Sequence, residues 1–467
     1  MLISKPLISL ASRKLSTVVY RVLIWGLILL FGLPFGVTGF AGEARAQIAL
    51  IRDAEIEHSI RMYAAPLFAA ADLSMEDVRV HIVSNRELNA FVTGGQNIFI
   101  NTGLIQAAES SGEILGVLAH ETGHIVGGHL SQTREAMKGA SIQAMVAMVL
   151  GVAAMAAGGG DQGAAIAIGG QYAAQQSLLK YSRTQESIAD QTAITLLTEA
   201  GHSPAGLLKL LERMRGQEAL VTARQDAYVR SHPLARQRIA TLRAAAATAP
   251  PGRDLSKFDA ALARIQAKIF AFSENPGRTF RKYPPEDTSV AAVYARAVAY
   301  HRDNDVPAAL ENIDALLSSY PDDPYFHELK GQILYEQGEA AAAIPSLLRA
   351  LQLLPHQPLL LLALGQAEVA TGDAKLNHDA IEHLQVSVLN EPRLASAWRQ
   401  LAIARGRDGQ LAASALASAE YSLLIRRGRD ARMFARRAKD KLPAGSPGAM
   451  RARDILTELD RIKKKAR

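Results

Sequence analysis

Between about residues 290 and 428 the chain repeats itself, and the period leaves few folds open. Pro321 and Pro355, Gly331 and Gly365, Gly338 and Gly372, and Leu310 and Ile344 are each 34 residues apart. Gly409 and Ile381 follow Gly372 and Ile344 after a further 37, and an insertion around Asp373 to His378 accounts for the extra three. A unit of that length holds two helices, with a small residue where they touch, glycine at the turn and proline after the second helix. One such pair cannot bury its apolar face alone, so about four of them should stack into an α-solenoid whose concave face suits extended peptides or partner proteins. The abundant Ala and Leu of this stretch are core formers, so a stack that only stabilises the rest of the chain is the alternative.

The chemistry lies elsewhere, in His120-Glu121-Thr122-Gly123-His124. Positions i and i+4 of a helix share a face, so both imidazoles can converge on one Zn²⁺ while Glu121 reaches the attacking water as general base. Ile114, Leu115, Val117 and Leu118 before the motif and Ile125 and Val126 after it make a packed helix of which one side faces a cleft. Gly123 and Gly127 would allow another segment to approach closely.

Two histidines do not make a site without a further ligand. A third histidine six residues after the second would fall at position 130, where Leu130 stands. His129 lies five residues from His124, about 140° around the helix, and reads as a surface residue or as one that supports a ligand from outside. Glu186 is the better third ligand, in Tyr181-Ser-Arg-Thr-Gln-Glu186-Ser-Ile-Ala-Asp190. Asp190, one turn on, is placed to accept a hydrogen bond from a ligand histidine and fix its tautomer. Alone, a Glu-x-x-x-Asp pair is usually a solvated helix face.

Together, His-Glu-x-x-His and Ser-Arg-x-x-Glu-Ser-x-Ala-Asp resemble the HtpX-like and CAAX-prenyl-protease-like zinc metallopeptidases over about residues 48 to 245. Leu88-Asn-Ala-Phe91 and Gly94 to Asn101 look like that family's strand and turn leading into the active-site helix, and Ser231-His232-Pro233 with Arg238-Ile239 looks like its downstream His-Pro segment. The resemblance implies one Zn²⁺ per chain held by His120, His124 and Glu186. It also implies a catalytic or regulatory part for His232, as an inhibitory fourth ligand or as a group that stabilises the oxyanion. Asn97, Ile98, Phe99, Ile100 and Asn101, taken as an edge strand, would bind an unfolded substrate as a further strand.

The repeats look like tetratricopeptide repeats, and the whole is similar to the periplasmic BepA-type proteases. That resemblance implies misassembled outer-membrane β-barrel proteins as substrates and the outer-membrane assembly machinery as a partner of the repeats. A chiefly non-proteolytic assembly factor and a membrane-integral protease are the alternatives.

Lys5, Arg13, Lys14 and Arg21 precede an apolar run from Val22 to Phe40 that ends at Ala44-Arg45-Ala46, the pattern of a cleaved signal peptide and hence of export to the periplasm. There are no cysteines to report on redox compartment. Five basic residues and one acidic residue of the first 46 account for +4 of the formal +7. Much of the remaining basic charge lies in Arg426 to Arg429, Arg436 to Lys439 and Lys463 to Arg467, which suits solvated terminal helices or contact with an anionic membrane and gives no sign of nucleic-acid reading.

The expected architecture is mainly α. A signal peptide over 1–46 precedes a zincin-like α+β metallopeptidase domain with a small sheet over 47–246. Residues 139–177 form an apolar hairpin that covers the cleft or touches a membrane or partner. A helical linker over 247–286 contains the apolar run Phe258 to Phe272, repeats follow over 287–428, and basic helices over 429–467. The concave repeat surface should be separable from the zinc cleft.

Overall fold

The computed structural model describes residues 49–94, 96–156, 160–217, 225–233 and 236–465. The expected signal peptide lies outside them.

A small sheet opens the peptidase domain. Its strands are β1 (Leu50–Ile51), β2 (Arg79–Val83), β3 (Ala90–Thr93) and β4 (Asn97–Asn101), in the spatial order β1-β2-β4-β3. Strand β4 runs parallel to β2 and antiparallel to β3. The expectation that Asn97 to Asn101 form an edge is therefore wrong. Ile98 and Ile100 are fully buried on one face of β4 and both of its sides are paired, which leaves β3 at the edge. The alternating pattern of Asn97 to Asn101 marks a strand with one buried face, and such a pattern carries no information about how many neighbours the strand has.

Helix α1 (Ala54–Ala70) begins at Asp53, whose carboxylate accepts the Ile56 N–H at 2.9 Å. Helices α2 (Thr102–Ala107) and α3 (Ser111–Val126) follow the sheet. Every residue of α3 from Ser111 to Gly123 is buried, so over that stretch the helix is enclosed on all sides rather than open to a cleft on one, and it emerges only in its last turn, where Val126 is exposed. Its Ile114, Leu115, Val117 and Leu118 share one core with Tyr63, Leu67 and Phe68 of α1, with Ile82, Ile98 and Ile100 of the sheet, and with Leu207, Leu210 and Leu211 of α6 (Ala205–Arg213).

Between α3 and α6 stands a hairpin of two long helices, α4 (His129–Ala156) and α5 (Gly160–Glu199). Away from its base it carries Met145, Val149 and Ile168 at 64%, 63% and 69% exposure, so it offers an apolar surface rather than hiding one. No described helix is long and apolar enough to cross a membrane.

Short helices α7 (Ala227–Ser231) and α8 (Arg236–Thr248) complete this domain. Helix α9 (Ser256–Ser273) then divides its faces: Leu262, Ile265 and Ile269 enter the peptidase core, while Ala267 and Ala271 enter the core of the first repeats. After α10 (Pro276–Lys282), ten helices stack as antiparallel pairs. They are α11 (Val290–Arg302) with α12 (Val306–Ser319), α13 (Pro324–Glu336) with α14 (Ala340–Leu353), α15 (Pro358–Thr371) with α16 (Ala374–Asn390), α17 (Ala395–Arg407) with α18 (Leu411–Leu424), and α19 (Gly428–Lys441) with α20 (Pro447–Lys465).

The period has a steric cause. A Cβ on Gly331 would lie 2.5 Å from Leu347 Cγ, and one on Gly365 2.6 Å from Leu384 Cγ, so only glycine lets each pair close. Helix α16 has 17 residues where α12 and α14 have 14, which is where the three extra residues went. The basic segment beyond residue 428 does not stand apart. It is the fifth pair, with Ala431, Ala435, Ile455 and Leu459 buried against Ala419.

The repeats join the peptidase domain through buried ions. Glu55 of α1 receives Arg264 Nη2 at 2.6 Å and the Tyr294 hydroxyl at 2.8 Å, and Arg264 Nη1 reaches Asp323 at 2.6 Å. Lys268, 3% exposed, lies 2.7 Å from Asp53.

Candidate metal centre

Helix α3 presents His120 and His124 from one face, as the i, i+4 spacing requires. Helix α5 brings Glu186 and Asp190 against them because Gly123 has no side chain; a Cβ there would meet the Ala189 carbonyl oxygen at 2.8 Å. The turn after α7 adds His232. Each of His120, His124, Glu186 and His232 offers one donor atom, all within 4.8 Å of one another.

The spacing suits a metal ion. Tetrahedral bonds of 2.0–2.1 Å place neighbouring donors roughly 3.3–3.4 Å apart. His120 Nε2 lies 3.1 Å from His124 Nε2 and 3.3 Å from Glu186 Oε2. His124 Nε2 lies 3.4 Å from Glu186 Oε1, and His232 Nδ1 is 3.3 Å from both Glu186 and His120 Nε2.

Electrostatics point the same way. Three buried carboxyl groups, of Glu121, Glu186 and Asp190, gather here, and the buried guanidinium of Arg238 pairs with only the last two. Burial works against an ionised Glu186, but His232, His120 and His124 hold it well below the usual carboxylate range. Burial likewise opposes a charged His120, yet Asp190 and Glu186 lift it to about 9. For His124 burial prevails, and its pKa is lowered. A divalent cation held by these donors would supply positive charge to the same carboxylates.

Around these donors the remaining groups are oriented. His120 Nδ1 stands 3.0 Å from Oδ1 of Asp190, whose carboxylate accepts from Arg238 Nε at Oδ2 (2.6 Å) and from Arg238 Nη2 at Oδ1 (2.8 Å). Arg238 further reaches Glu186 Oε2 at 2.8 Å and the Pro233 carbonyl at 3.0 Å, tying the His232 turn to the acidic helix. His232 Nε2 lies 3.3 Å from the Ala90 carbonyl, an acceptor only, which leaves the Nδ1 lone pair facing the donors. Neither oxygen of Glu121 makes a hydrogen bond although the side chain is 1% exposed, and Oε1 stands 3.3 Å from His232 Nε2.

His120, Glu121, His124, Glu186, Asp190 and His232 thus meet in one place, whereas Asn97 to Asn101 lie one strand further from the exposed edge, behind β3. Three further groups stand at the site, of which the sequence left His129 as a surface or supporting residue and did not single out Tyr228. Arg238 was visible only as part of a His-Pro segment. Tyr228, whose ring is centred 4.6 Å from that of His232 and whose buried hydroxyl has no partner, sits one turn before it. His129 is 3% exposed and touches His124.

The fold and the donor set define a metallopeptidase followed by protein-interaction repeats. Residues 51–246 match peptidase family M48 and residues 289–358 match the tetratricopeptide repeat, so the chain carries an M48 peptidase domain with tetratricopeptide repeats behind it and is a metalloendopeptidase. It is 26% identical over 391 residues to the beta-barrel assembly-enhancing protease of Yersinia pestis, a match covering 80% of this chain and 78% of that one. The protein of the same name in Escherichia coli K12 is 25% identical over 388 residues, again 80% and 78% of the two chains. A more distant relative is the mitochondrial metalloendopeptidase OMA1 of Schizosaccharomyces pombe, 27% identical over 37% of this chain and 48% of its own.

Proposed function

We propose that this chain is a zinc-dependent endopeptidase of the bacterial periplasm that removes misassembled outer-membrane β-barrel proteins. The observation that carries the zinc reading is the set of 3.1–3.4 Å separations linking His120, His124, Glu186 and His232, with all four donors within 4.8 Å of one another, which fits an ion with nitrogen and oxygen ligands. The compartment rests on the signal-peptide pattern before Gln47. The substrate class rests on the names of the relatives matched over 80% of the chain.

Bound zinc supplies Lewis-acid polarisation and makes a water acidic enough to be deprotonated near neutral pH. His120, His124 and Glu186 would hold it, with the Asp190 carboxylate 3.0 Å from His120 Nδ1 favouring a proton there and so leaving Nε2 to coordinate. The Glu121 carboxylate, with no hydrogen bond of its own, takes the proton of the attacking water and returns it to the leaving amine. The exposed edge of β3, rather than β4, is the place where an extended substrate adds as a further strand. Such pairing reads main chain, so sequence selectivity should be loose.

His232 is the resting fourth donor in this reading, because its Nδ1 and not its Nε2 faces the cluster. His232→Ala is expected to raise cleavage of an unfolded test protein while metal content stays at one per chain. A fall in cleavage at full metal content would assign His232 to the transition state instead. The reading as a whole is tested by metal analysis of the purified chain together with a casein cleavage assay. One zinc per chain and chelator-sensitive cleavage support it, and a zinc-loaded chain that cuts nothing would leave the repeats as its working part.

A further inference from the structure

Each histidine of the His-Glu-x-x-His pair has one nitrogen turned inward and one turned outward. The outward nitrogen of His120 meets Asp190. That of His124 meets no carboxylate; its Nδ1 stands 3.0 Å from Nδ1 of His129. Two imidazole nitrogens at that distance can bond only if one donates and the other accepts. His124 turns its Nε2 toward His120 and Glu186, and a coordinating Nε2 must keep its lone pair, so the proton of His124 belongs on Nδ1.

We propose that His129 is a positioning residue for the metal centre: its Nδ1 accepts the Nδ1–H of His124 and thereby holds that ring in the coordinating tautomer and orientation. This rests on the metal reading above. The surrounding chain is arranged to keep His129 there. Gly127 lies under its ring where any Cβ would collide with it, and Gly128, at φ +62°, turns the chain from α3 into α4 so that His129 folds back over α3. The His129 carbonyl accepts from Gln185 Nε2 at 3.1 Å, and Gln185 also receives the Thr133 hydroxyl at 2.9 Å. Gln185 immediately precedes Glu186, so one buried amide ties the support of the second ligand to the backbone of the third. His129 does not point off the ligand face as a continuous helix would place it, because α3 ends at Val126 and Gly128, at φ +62°, breaks the helical path just before it.

The test is metal affinity, measured by competition with a chromogenic zinc chelator on the full chain. His129→Leu keeps the bulk and loses the acceptor. It should bind zinc about 10–100-fold more weakly than the unaltered chain, the usual cost of losing such a support. His129→Asn, whose amide oxygen can stand near the position of Nδ1, should recover most of that loss. Nitrogen NMR of the zinc-loaded, histidine-labelled chain gives an independent reading and should show His124 protonated at Nδ1, whether or not the Leu variant folds. Equal affinity in His129→Leu and the unaltered chain, equal loss in the Leu and Asn variants, or an unprotonated His124 Nδ1 would each overturn the proposal. A chain that binds zinc nowhere overturns the metal reading beneath it, a result that no His129 variant could imitate.

Discussion

Glu121→Gln is expected to retain one zinc per chain and to cut an unfolded protein about 10²–10⁴-fold more slowly, the range a positioned general base contributes. The amide has the shape of the carboxylate, and the position makes no hydrogen bond that the change would break, so folding should be unaffected. His120→Ala, His124→Ala and Glu186→Ala should lose both metal and cleavage. The contrast separates a base from a ligand, and metal analysis beside the rate measurement reads it directly. A Glu186→Ala protein that still holds zinc at full occupancy would remove Glu186 from the ligand set.

The second large effect lies far from the metal. Arg264→Ala should destabilise the whole chain by about 3–5 kcal/mol, because it strips one cation from a buried ionic junction and leaves Glu55 and Asp323 short of a partner. The guanidinium also lies 4.4 Å from the centre of the Phe326 ring, so packing is lost with the charge. Arg349→Ala is the control. Its pair with Asp322 is solvent-exposed, and its loss should change stability by less than about 1 kcal/mol. Denaturant titrations of both variants check the difference. Equal midpoints would mean that the junction contributes no more than a surface pair.

This junction revises the expectation that the repeats are a detachable module. Lys268, Glu55 and Tyr294 are buried only because the two bodies meet, and Ala54 of the peptidase domain sits in a core with Leu359, Leu360 and Ile381 of the repeats. A chain cut at residue 285 would expose these charges and apolar surfaces together. The resulting loss of activity would report on folding rather than on substrate capture. Point changes on the concave face are the cleaner way to ask what the repeats hold.

Much of the site was legible because its residues obey short rules. The i, i+4 spacing of His120 and His124 and the one-turn spacing of Glu186 and Asp190 each put both side chains on one helical face, whatever the helix packs against. The 34-residue period was legible for a related reason, since each glycine answers to a leucine of its own repeat. What could not be read depended on partners distant in the chain. The order of the four strands is decided by which backbones find each other, and β4 looks the same from its own residues at an edge or inside. Arg238 and His129 are ordinary polar residues until Asp190, Glu186 and His124 are brought to them. The fifth helix pair was obscured by its arginines and lysines, which decorate the outer faces of α19 and α20 while small alanines do the packing.

Gly123 bears on whether such a centre could be moved to another protein. The His-Glu-x-x-His segment is five residues long and looks portable, yet by itself it supplies only two donors. The third arrives because a neighbouring helix can press to within van der Waals contact of the one position that has no side chain. A host helix given the same five residues would need an acidic helix at that separation, in that register, with its own buried arginine. The specification for the metal is thus written partly in an atom that is missing, and a transplant that copied only the ligands would leave it out.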